Sequence, residues 1–262
     1  MRRFQPSLSE RPWGLRDLRP FIDRHGLATP VGEAWYQYPG LPLVKWIFTA
    51  DVLSVQVHPG DAYAMAHHNS PGKTEAWYVV AAEPGASLGL GLRKELTREE
   101  ARAAALDGSI ENLLKWIPVQ AGDTVFIPAG TIHAIGPGLV LAEIQQDSDL
   151  TYRLYDYGRG RELHLDHGLA VADLRPWNGE IRREGPVLAE CGYFRLEQHP
   201  GDSNVKVGPY DQPAWVMFPA GSGSIHGLPW RQGDVWLIEA GESAHVSTSG
   251  AAFLTGLIPV KH

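Results

Sequence analysis

The stretch GDTVFIPAGTIH, residues 122–133, decides how this chain is interpreted. It follows the spacing Gly-x5-Pro-x-Gly-x2-His: a Gly-Asp turn, four strand-type residues, a tight turn around Pro128 and Gly130, and then His133. Imidazole is a common ligand of divalent metals. The stretch therefore predicts a short strand and a turn that presents a candidate metal ligand.

A second copy of this frame, GDVWLIEAGESA, occupies residues 233–244. In it Glu239 replaces Pro128, Ala244 replaces His133, and His245 follows one residue too late. A slip of one residue turns a strand side chain to the opposite face of its sheet. The repeat predicts two related β-barrels, of which only the first keeps a metal.

Three further candidate ligands precede this stretch in the chain. Gln56 and His58 lie two residues apart on a predicted strand and therefore share a face. Glu75 opens the next predicted strand. Together with His133 they offer one amide oxygen, two imidazoles and one carboxylate, a set that suits Zn²⁺ or another divalent first-row ion. With a single acidic ligand the site keeps a net positive charge, which favours polarising a substrate oxygen.

The composition excludes several other classes of protein. The 262 residues are 44% hydrophobic and 20% charged, as in a soluble globular protein, and the net charge of −7 without a basic run argues against nucleic-acid binding. Cys191 is the only cysteine, so an internal disulfide is impossible. Neither a signal peptide nor an apolar run long enough for a bilayer is evident, and the cytoplasm is the expected location.

Short strands separated by turn residues dominate from Leu43 onwards and predict a mainly all-β fold of two barrels with a few short helices. We expect residues 1–40 to form an irregular lead-in with a short helix around Leu15–Arg24. Pro59–Gly72 is predicted to be a polar loop. A capping box that starts at Thr97 predicts a helical insert over about 97–116. The expected domains are 1–175, with the metal and the insert, and 176–262, without a metal.

The spacing in residues 122–133 matches the second signature motif of the cupins without a gap. The chain also resembles type I mannose-6-phosphate isomerase, in its short bacterial branch. The residues that carry this resemblance are LSVQVHP (53–59), GKTEAWY (72–78), PAGTIHAIG (128–136), EIQQDSDLTYRLYDY (143–157) and, in the lead-in, RPWG (11–14) and GEAW (32–35).

The resemblance implies two jelly-roll cupin barrels and a zinc-dependent aldose–ketose isomerase that interconverts mannose 6-phosphate and fructose 6-phosphate through a cis-enediol. It implies one zinc per chain at the four ligands already singled out. It further implies active-site roles for Lys73, Glu143 and Arg153, and it sets Ser54 and Arg159 near the substrate phosphate. The expected partner is thus a small sugar phosphate, bound by a monomer or a homodimer.

Each of these residues also has a structural interpretation. Glu143 could be buried in a structural pair with Arg153, Lys73 could be a solvated loop lysine, and Arg153 could stack within its aromatic-rich strand. Arg159 could lie in an exposed turn. The pair His67-His68 is interpreted as solvated loop residues, with a pocket border or a second metal trap as the alternative.

Three other functions remain open on the sequence. The family usually carries a longer insertion between Trp35 and Leu43, where this chain has a short turn. Isomerisation of a different sugar phosphate is therefore one alternative. A non-catalytic, metal-containing sugar-binding cupin is another, although a pure binder needs no base such as Glu143. A cupin dioxygenase is disfavoured by Gln56 as a ligand and by the cations suited to phosphate.

Overall fold

The computed structural model describes residues 1–201 and 204–259. Within them the strands are β1 Arg2–Phe4, β2 Ser7–Leu15, β3 Val31–Tyr36, β4 Leu43–Thr49, β5 Val55–Val57, β6 Glu75–Ala82, β7 Ser87–Leu92, β8 Leu114–Pro118, β9 Thr124–Ile127, β10 His133–Ile135, β11 Leu139–Gln145, β12 Tyr152–Tyr155, β13 Ile181–Arg182, β14 Val187–Glu190, β15 Arg195–His199, β16 Val205–Val207, β17 Ala214–Met217, β18 Ser222–Ile225, β19 Leu228–Arg231, β20 Val235–Ile238, β21 Ala244–Thr248 and β22 Phe253–Leu257. The helices there are α1 Asp61–His68, α2 Arg98–Asp107, α3 Ile110–Leu113 and α4 Leu165–Val171.

These strands form two double-sheet units. In the first unit, a seven-stranded sheet of order β13-β9-β6-β11-β4-β3-β2 faces a five-stranded sheet of order β12-β5-β10-β7-β8. In the second unit, a six-stranded sheet of order β1-β20-β17-β22-β15-β14 faces a four-stranded sheet of order β16-β21-β18-β19. The mainly β, cupin-like fold with a few short helices is confirmed.

The alternation of side chains along β4 shows how the two units pack. Val44 and Trp46 point outwards into a core shared with Trp215 and Leu237 of the six-stranded sheet. Ile47 points inwards to the core of the first unit. Because successive strand residues face opposite sides, the middle of the seven-stranded sheet is covered on both faces, and its strands β4 and β11 are almost entirely buried.

The expected division at residue 175 stays a prediction, and one strand from each side crosses it. β1, from the lead-in, pairs with β20 of the second unit. β13, from beyond residue 175, pairs with β9 of the first unit. The part before residue 175 therefore supplies β1 to the six-stranded sheet of the second unit, and the part after it supplies β13 to the seven-stranded sheet of the first unit.

The internal repeat occupies equivalent places in the two units. β10 begins at His133 and β21 begins at Ala244, the residues that the repeat aligns. Ala244 is buried, whereas His245 is exposed. The predicted slip is confirmed, since the second unit has a methyl group at the position where the first has an imidazole.

The lead-in and one short helix were predicted wrongly. Residues 1–40 contain β1, β2 and β3 rather than irregular chain, and the expected helix at Leu15–Arg24 is absent there. β2 lies at the edge of its sheet with mostly exposed or half-buried side chains, so it lacks apolar alternation. Pro20 within the expected helix has no N–H to donate to a helical hydrogen bond.

The predicted loop Pro59–Gly72 contains α1 instead. Alternating alanines and an acidic residue in the first turn favour a helix there. The helical insert is confirmed: Thr97 forms the capping box with Glu100, although the second helical piece ends at Leu113, before Trp116. No helix among residues 1–201 and 204–259 is long and apolar enough to cross a membrane.

Candidate metal centre and active site

The four candidate ligands meet between the two sheets of the first unit. Gln56 lies on β5 directly opposite His133, the first residue of β10. Glu75, the first residue of β6, lies between Gln145 of β11 and Ile127 of β9. Val55 and Val57 face the outer core, so Gln56 between them faces inwards.

His58, Glu75 and His133 form a compact, buried group. The Oε1 atom of Glu75 lies 3.5 Å from Nε2 of His58 and 3.4 Å from Nε2 of His133. Each imidazole donates from Nδ1 to a backbone carbonyl at 2.9 Å: His58 to Leu150 and His133 to Thr131. These bonds leave both Nε2 lone pairs directed at the site, which is the usual arrangement of histidines that bind a metal.

The electrostatics of this group suit a cation. Burial, reinforced by the charge of Lys73, lowers the pKa of His58 to about 3, and burial lowers the pKa of His133. Both rings are therefore neutral and able to coordinate. Burial would raise the pKa of Glu75, but the charge of Lys73 outweighs it and holds that pKa well below its ordinary value.

Several polar atoms of this group lack a hydrogen-bond partner within the described residues. Oε1 of Glu75 and Nε2 of His133 are buried in this condition, and Oε2 of Glu75 has only the ion pair with Lys73. Unsatisfied buried polar atoms are costly. The residues present thus fit a divalent metal, with Gln56 beside them as an oxygen ligand.

Lys73 lies in the same site and not in a solvated loop. Its Nζ atom is 2.9 Å from Oε2 of Glu75 and 3.2 Å from Nε2 of His58, and its side chain is buried. Burial disfavours its charge, but the carboxylates of Glu75 and Glu143 more than compensate and raise its pKa. Lys73 is therefore an ammonium group within the cavity.

Glu143 has a different partner from the one that the sequence suggested. Its Oε1 atom lies 2.8 Å from Nζ of Lys45, and its Oε2 atom accepts a hydrogen bond of 3.0 Å from the indole of Trp77. Burial raises the pKa of Glu143, although Lys45 opposes that shift. Lys45 was not among the residues predicted from the sequence; its signal is a single charge within the otherwise apolar strand LVKWIFT.

A cavity of about 390 Å³ opens onto Gln56, Lys73 and the pair Lys45–Glu143. Its volume lies in the lower part of the ~300–1,000 Å³ range of small-molecule sites. Two larger clefts contain none of the candidate site residues. Ser54 and Gln56 line the cavity, and among its other lining side chains are five cations (Arg11, Lys45, Lys73, Arg153 and Arg161) and three acids (Glu33, Glu143 and Asp149).

The two arginines singled out from the sequence lie in different places. Arg153 lines the cavity, donates 2.7 Å to the carbonyl of Glu162, and keeps a buried Nε without a partner in the described chain. Arg159 does not line it: its guanidinium binds Asp51 at 2.6 Å and the carbonyl of Val52 at 2.7 Å. Arg161, which does line the cavity, is paired with Asp156.

His67 and His68 lie outside the cavity, in the last turn of α1. His67 stacks on Tyr63, and Nε2 of His68 is hydrogen-bonded to the hydroxyl of Tyr152 at 2.7 Å. Both histidines are exposed. They belong to a surface cluster of aromatic rings rather than to the candidate metal group.

No family model matches the chain. By sequence it is similar to a mannose-6-phosphate isomerase of Streptococcus mutans, with 39% identity over 198 residues, which are 70% of this chain and 62% of that relative. The match thus covers less than two thirds of the relative's length. The resemblance to the mannose-6-phosphate isomerases is confirmed.

Solved structures extend the similarity with mannose-6-phosphate isomerases to the whole fold. The mannose 6-phosphate isomerase of Bacillus subtilis superposes with a TM-score of 0.86 at 23% identity, over 98% of this chain and 99% of that one. A structure described as mannose 6-phosphate isomerase bound with zinc and yttrium gives a TM-score of 0.77 at 14% identity, over 98% and 99% of the two chains. At these identities the two structures show the fold alone.

The expected departure from mannose-6-phosphate isomerases falls on the connector 37–42 between β3 and β4. At the start of this connector, the side-chain amide of Gln37 donates a hydrogen bond of 2.6 Å to Oδ1 of Asp147, which follows β11. Trp35, at the end of β3, forms part of the cavity wall, and Nζ of Lys45 lies 4.3 Å from the centre of its ring. In this chain, therefore, Trp35 lines the cavity next to the short connector.

Proposed function

We propose that this protein is a zinc-dependent aldose–ketose isomerase that interconverts mannose 6-phosphate and fructose 6-phosphate. The observation that carries the proposal is the content of one cavity. The cavity is lined by Gln56, by the buried pair Lys45–Glu143 and by an excess of cationic side chains. One of those cations, Lys73, contacts Glu75 and His58 of the metal-ligand group behind the cavity wall. The name of the Streptococcus mutans relative supports the same activity. The cytoplasmic location and the monomeric or dimeric state stay predictions.

In this proposal Gln56, His58, Glu75 and His133 hold one metal ion. Zinc accepts nitrogen and oxygen ligands together, and a solved structure of this fold is described as containing zinc. When bound, the metal would act as a Lewis acid towards a substrate oxygen. The two neutral imidazoles and the single carboxylate leave the site with net positive charge.

Glu143 is our candidate for the proton transfer. The surroundings of Glu75 and Glu143 push their pKa values in opposite directions, an arrangement that typically separates a charge-holding carboxylate from one that exchanges protons. The carboxylate of Glu143 would take the proton from C2 of the aldose and return it to C1 of the resulting cis-enediol, while the hydroxyl proton of O2 passes to O1, so that C2 becomes the carbonyl of the ketose. Lys45 and Lys73 would hold the negative charge that develops on the substrate oxygens.

We assign the phosphate end of the substrate to Ser54, Arg153 and Arg161. The support is that all three line the cavity and that Arg153 keeps an unpartnered buried nitrogen. A guanidinium group matches the geometry of phosphate oxygens. The resemblance gives this role to Arg159, but the guanidinium of Arg159 is hydrogen-bonded to Asp51 outside the cavity.

The test is an assay of the purified protein with mannose 6-phosphate, in which fructose 6-phosphate is detected by a coupled reaction. We expect turnover that a chelator abolishes and zinc restores. Glu143→Gln should lower kcat by at least ~100-fold, since general acid–base catalysis contributes ~10²–10⁴-fold. No product after zinc is restored, or equal activity of Glu143→Gln, would refute the proposal.

The short connector 37–42 gives a second candidate some support, because it changes one wall of the cavity. A panel of aldose and ketose phosphates would separate the two isomerases: a higher kcat/KM for another sugar phosphate would reassign the substrate. Tight binding of sugar phosphate without turnover would instead favour the non-catalytic sugar-binding cupin.

A further inference from the structure

One tyrosine of the second unit is hydrogen-bonded to α1, close to the segment that carries Lys73. Tyr193 lies in the turn between β14 and β15 of the six-stranded sheet, and its hydroxyl donates 2.7 Å to Oδ2 of Asp61. We infer that Tyr193 and Asp61 are positioning residues for Lys73, so that the second unit contributes to the reaction. This inference rests on the proposed function, which gives Lys73 its catalytic role.

Asp61 connects Tyr193 to the segment that carries Lys73 through further hydrogen bonds. Its Oδ1 atom accepts 2.8 Å from the backbone N–H of Gly72 and 2.8 Å from the side-chain amide of Gln146. The Oε1 atom of Gln146 in turn accepts 2.8 Å from the N–H of Thr74. The backbone on either side of Lys73 is therefore fixed by one connected set of hydrogen bonds, which begins at Tyr193.

The position of Lys73 depends on this set of hydrogen bonds more than the position of Glu75 does. Lys73 precedes β6, and its own N–H donates to the carbonyl of Pro59 at 2.9 Å, next to the start of α1. Glu75 lies within β6 and pairs with strands on both sides. Loosening Asp61 should thus move the ammonium of Lys73 and leave the metal ligand in place.

The fit around Gly72 is tight. A Cβ atom there would lie 2.6 Å from the backbone nitrogen of Asp61 and 2.7 Å from the carbonyl oxygen of Pro59. Burial would raise the pKa of Asp61, but its hydrogen bonds from Tyr193, Gly72 and Gln146 outweigh it and lower that pKa. Asp61 is therefore an ionised acceptor, which makes its hydrogen bonds short and strong.

The first experiment separates a positioning role from a merely structural one. Tyr193→Phe should lower kcat by ~3- to 10-fold, because displacement of a catalytic group by about 1 Å can cost ~10² in rate. KM should change less than twofold and the metal content not at all. Asp61→Ala should lose more activity than Tyr193→Phe, and Asp61→Asn, which keeps an acceptor oxygen, should recover part of that loss.

A double-mutant cycle with Lys73→Met then identifies the group through which Tyr193 acts. In that background Tyr193→Phe should cause no further loss of kcat. The control is Tyr210→Phe, which removes a half-buried hydroxyl of the second unit outside this set of hydrogen bonds and should not alter kcat. An equal loss from Tyr193→Phe in both backgrounds, or a parallel loss of metal, would overturn the inference.

Amide hydrogen exchange gives a readout that needs no activity. In Tyr193→Phe the amides of Gly72 and Thr74 should exchange at least threefold faster than in the parent and in Tyr210→Phe, while those of Ala76 and Trp77 in β6 stay unchanged. Unchanged exchange at Gly72 and Thr74 would overturn the inference even in an active enzyme. If the parent protein has no isomerase activity but exchange at Gly72 and Thr74 is faster in Tyr193→Phe, the proposed function is refuted, while the structural coupling of Tyr193 to these residues is supported.

Discussion

Lys45→Met should destabilise the fold strongly, and in a pH-dependent manner. Nζ of Lys45 lies 2.8 Å from Oε1 of Glu143, and both side chains are at most 3% exposed. At an effective dielectric constant of ~20 two unit charges at this distance attract by ~6 kcal/mol. Removing one partner of a buried pair costs ~3–5 kcal/mol, because the other charge stays buried. We expect a loss within that range, since methionine preserves most of the lysine stem.

The pH dependence follows from Glu143. Its folded-state pKa already lies above the ordinary value of 4.5, and losing Lys45 raises it further. A raised carboxyl pKa gives stability that is complete below the unfolded-state value and is lost as the pH rises through the folded-state value. The difference between variant and parent should therefore be large at pH 7 and shrink as the pH falls below about 4.5.

Urea unfolding at pH 7 and at pH 4 measures both expectations. Lys115→Met is the matched control: Lys115 lies on β8, also over a tryptophan ring, but is exposed. That control should lose no more than ~1 kcal/mol. The double variant Lys45→Met/Glu143→Met should recover most of the loss. A loss below ~1 kcal/mol at pH 7, or an equal loss at both pH values, would refute the reasoning.

Three other substitutions test separate parts of the structure. His133→Ala should lower zinc affinity at least ~100-fold in a metal titration, since losing even an outer partner of a ligand costs ~10–100-fold. Arg153→Ala should raise KM for the sugar phosphate by ~10- to 100-fold with a smaller change in kcat, because a hydrogen bond to a charged group is worth ~1.5–3 kcal/mol. Gly233→Ala should cost more than ~3 kcal/mol in urea unfolding, because its φ is +87° and a Cβ would lie 2.0 Å from the carbonyl oxygen of Phe21.

Each of these has a matched control in the chain. His67→Ala removes an exposed histidine and should leave the zinc affinity as it is. Arg159 lies outside the cavity, so Arg159→Ala should change KM less than twofold. An increase in KM as large as that of Arg153→Ala would instead assign phosphate binding to Arg159. Gly185 has a φ of +105° with no atom within 4 Å of a Cβ, so Gly185→Ala should show the ~1–2 kcal/mol backbone penalty alone.

The sequence predicted those parts of the fold that have a local signal. The short apolar runs bounded by turn residues predicted the mainly β character from Leu43 onwards, and β11 and β20 are two such runs. The capping box placed α2 because its two hydrogen bonds involve residues three apart. β2 escaped prediction because an edge strand buries too little to need apolar alternation. Its pairing with β3 and its register are set by tertiary contacts that no short window contains.

The candidate site divides along a similar line. His58, Glu75 and His133 were grouped from spacing and ligand chemistry, and the structure brings these three together. Lys45 was missed because a single lysine in a strand normally marks an exposed face, and its partner Glu143 lies 98 residues away in sequence on a neighbouring strand. The resemblance set Arg159 near the phosphate, whereas Arg161, two residues later, is the arginine that lines the cavity.

The second unit supports the site from behind as well as through Tyr193. In β4, Lys45 faces the cavity, while Trp46 faces the second unit, where its indole donates 2.9 Å to the carbonyl of Gly233. Gly256 of β22 approaches so closely that an added Cβ would lie 3.0 Å from Ile144, the neighbour of Glu143 in β11. Alternation along these strands thus sets each cavity-facing side chain next to one that packs on the second unit. The second unit therefore forms a packed backing for Lys45 and Glu143, because a close-packed interior transmits strain across one strand.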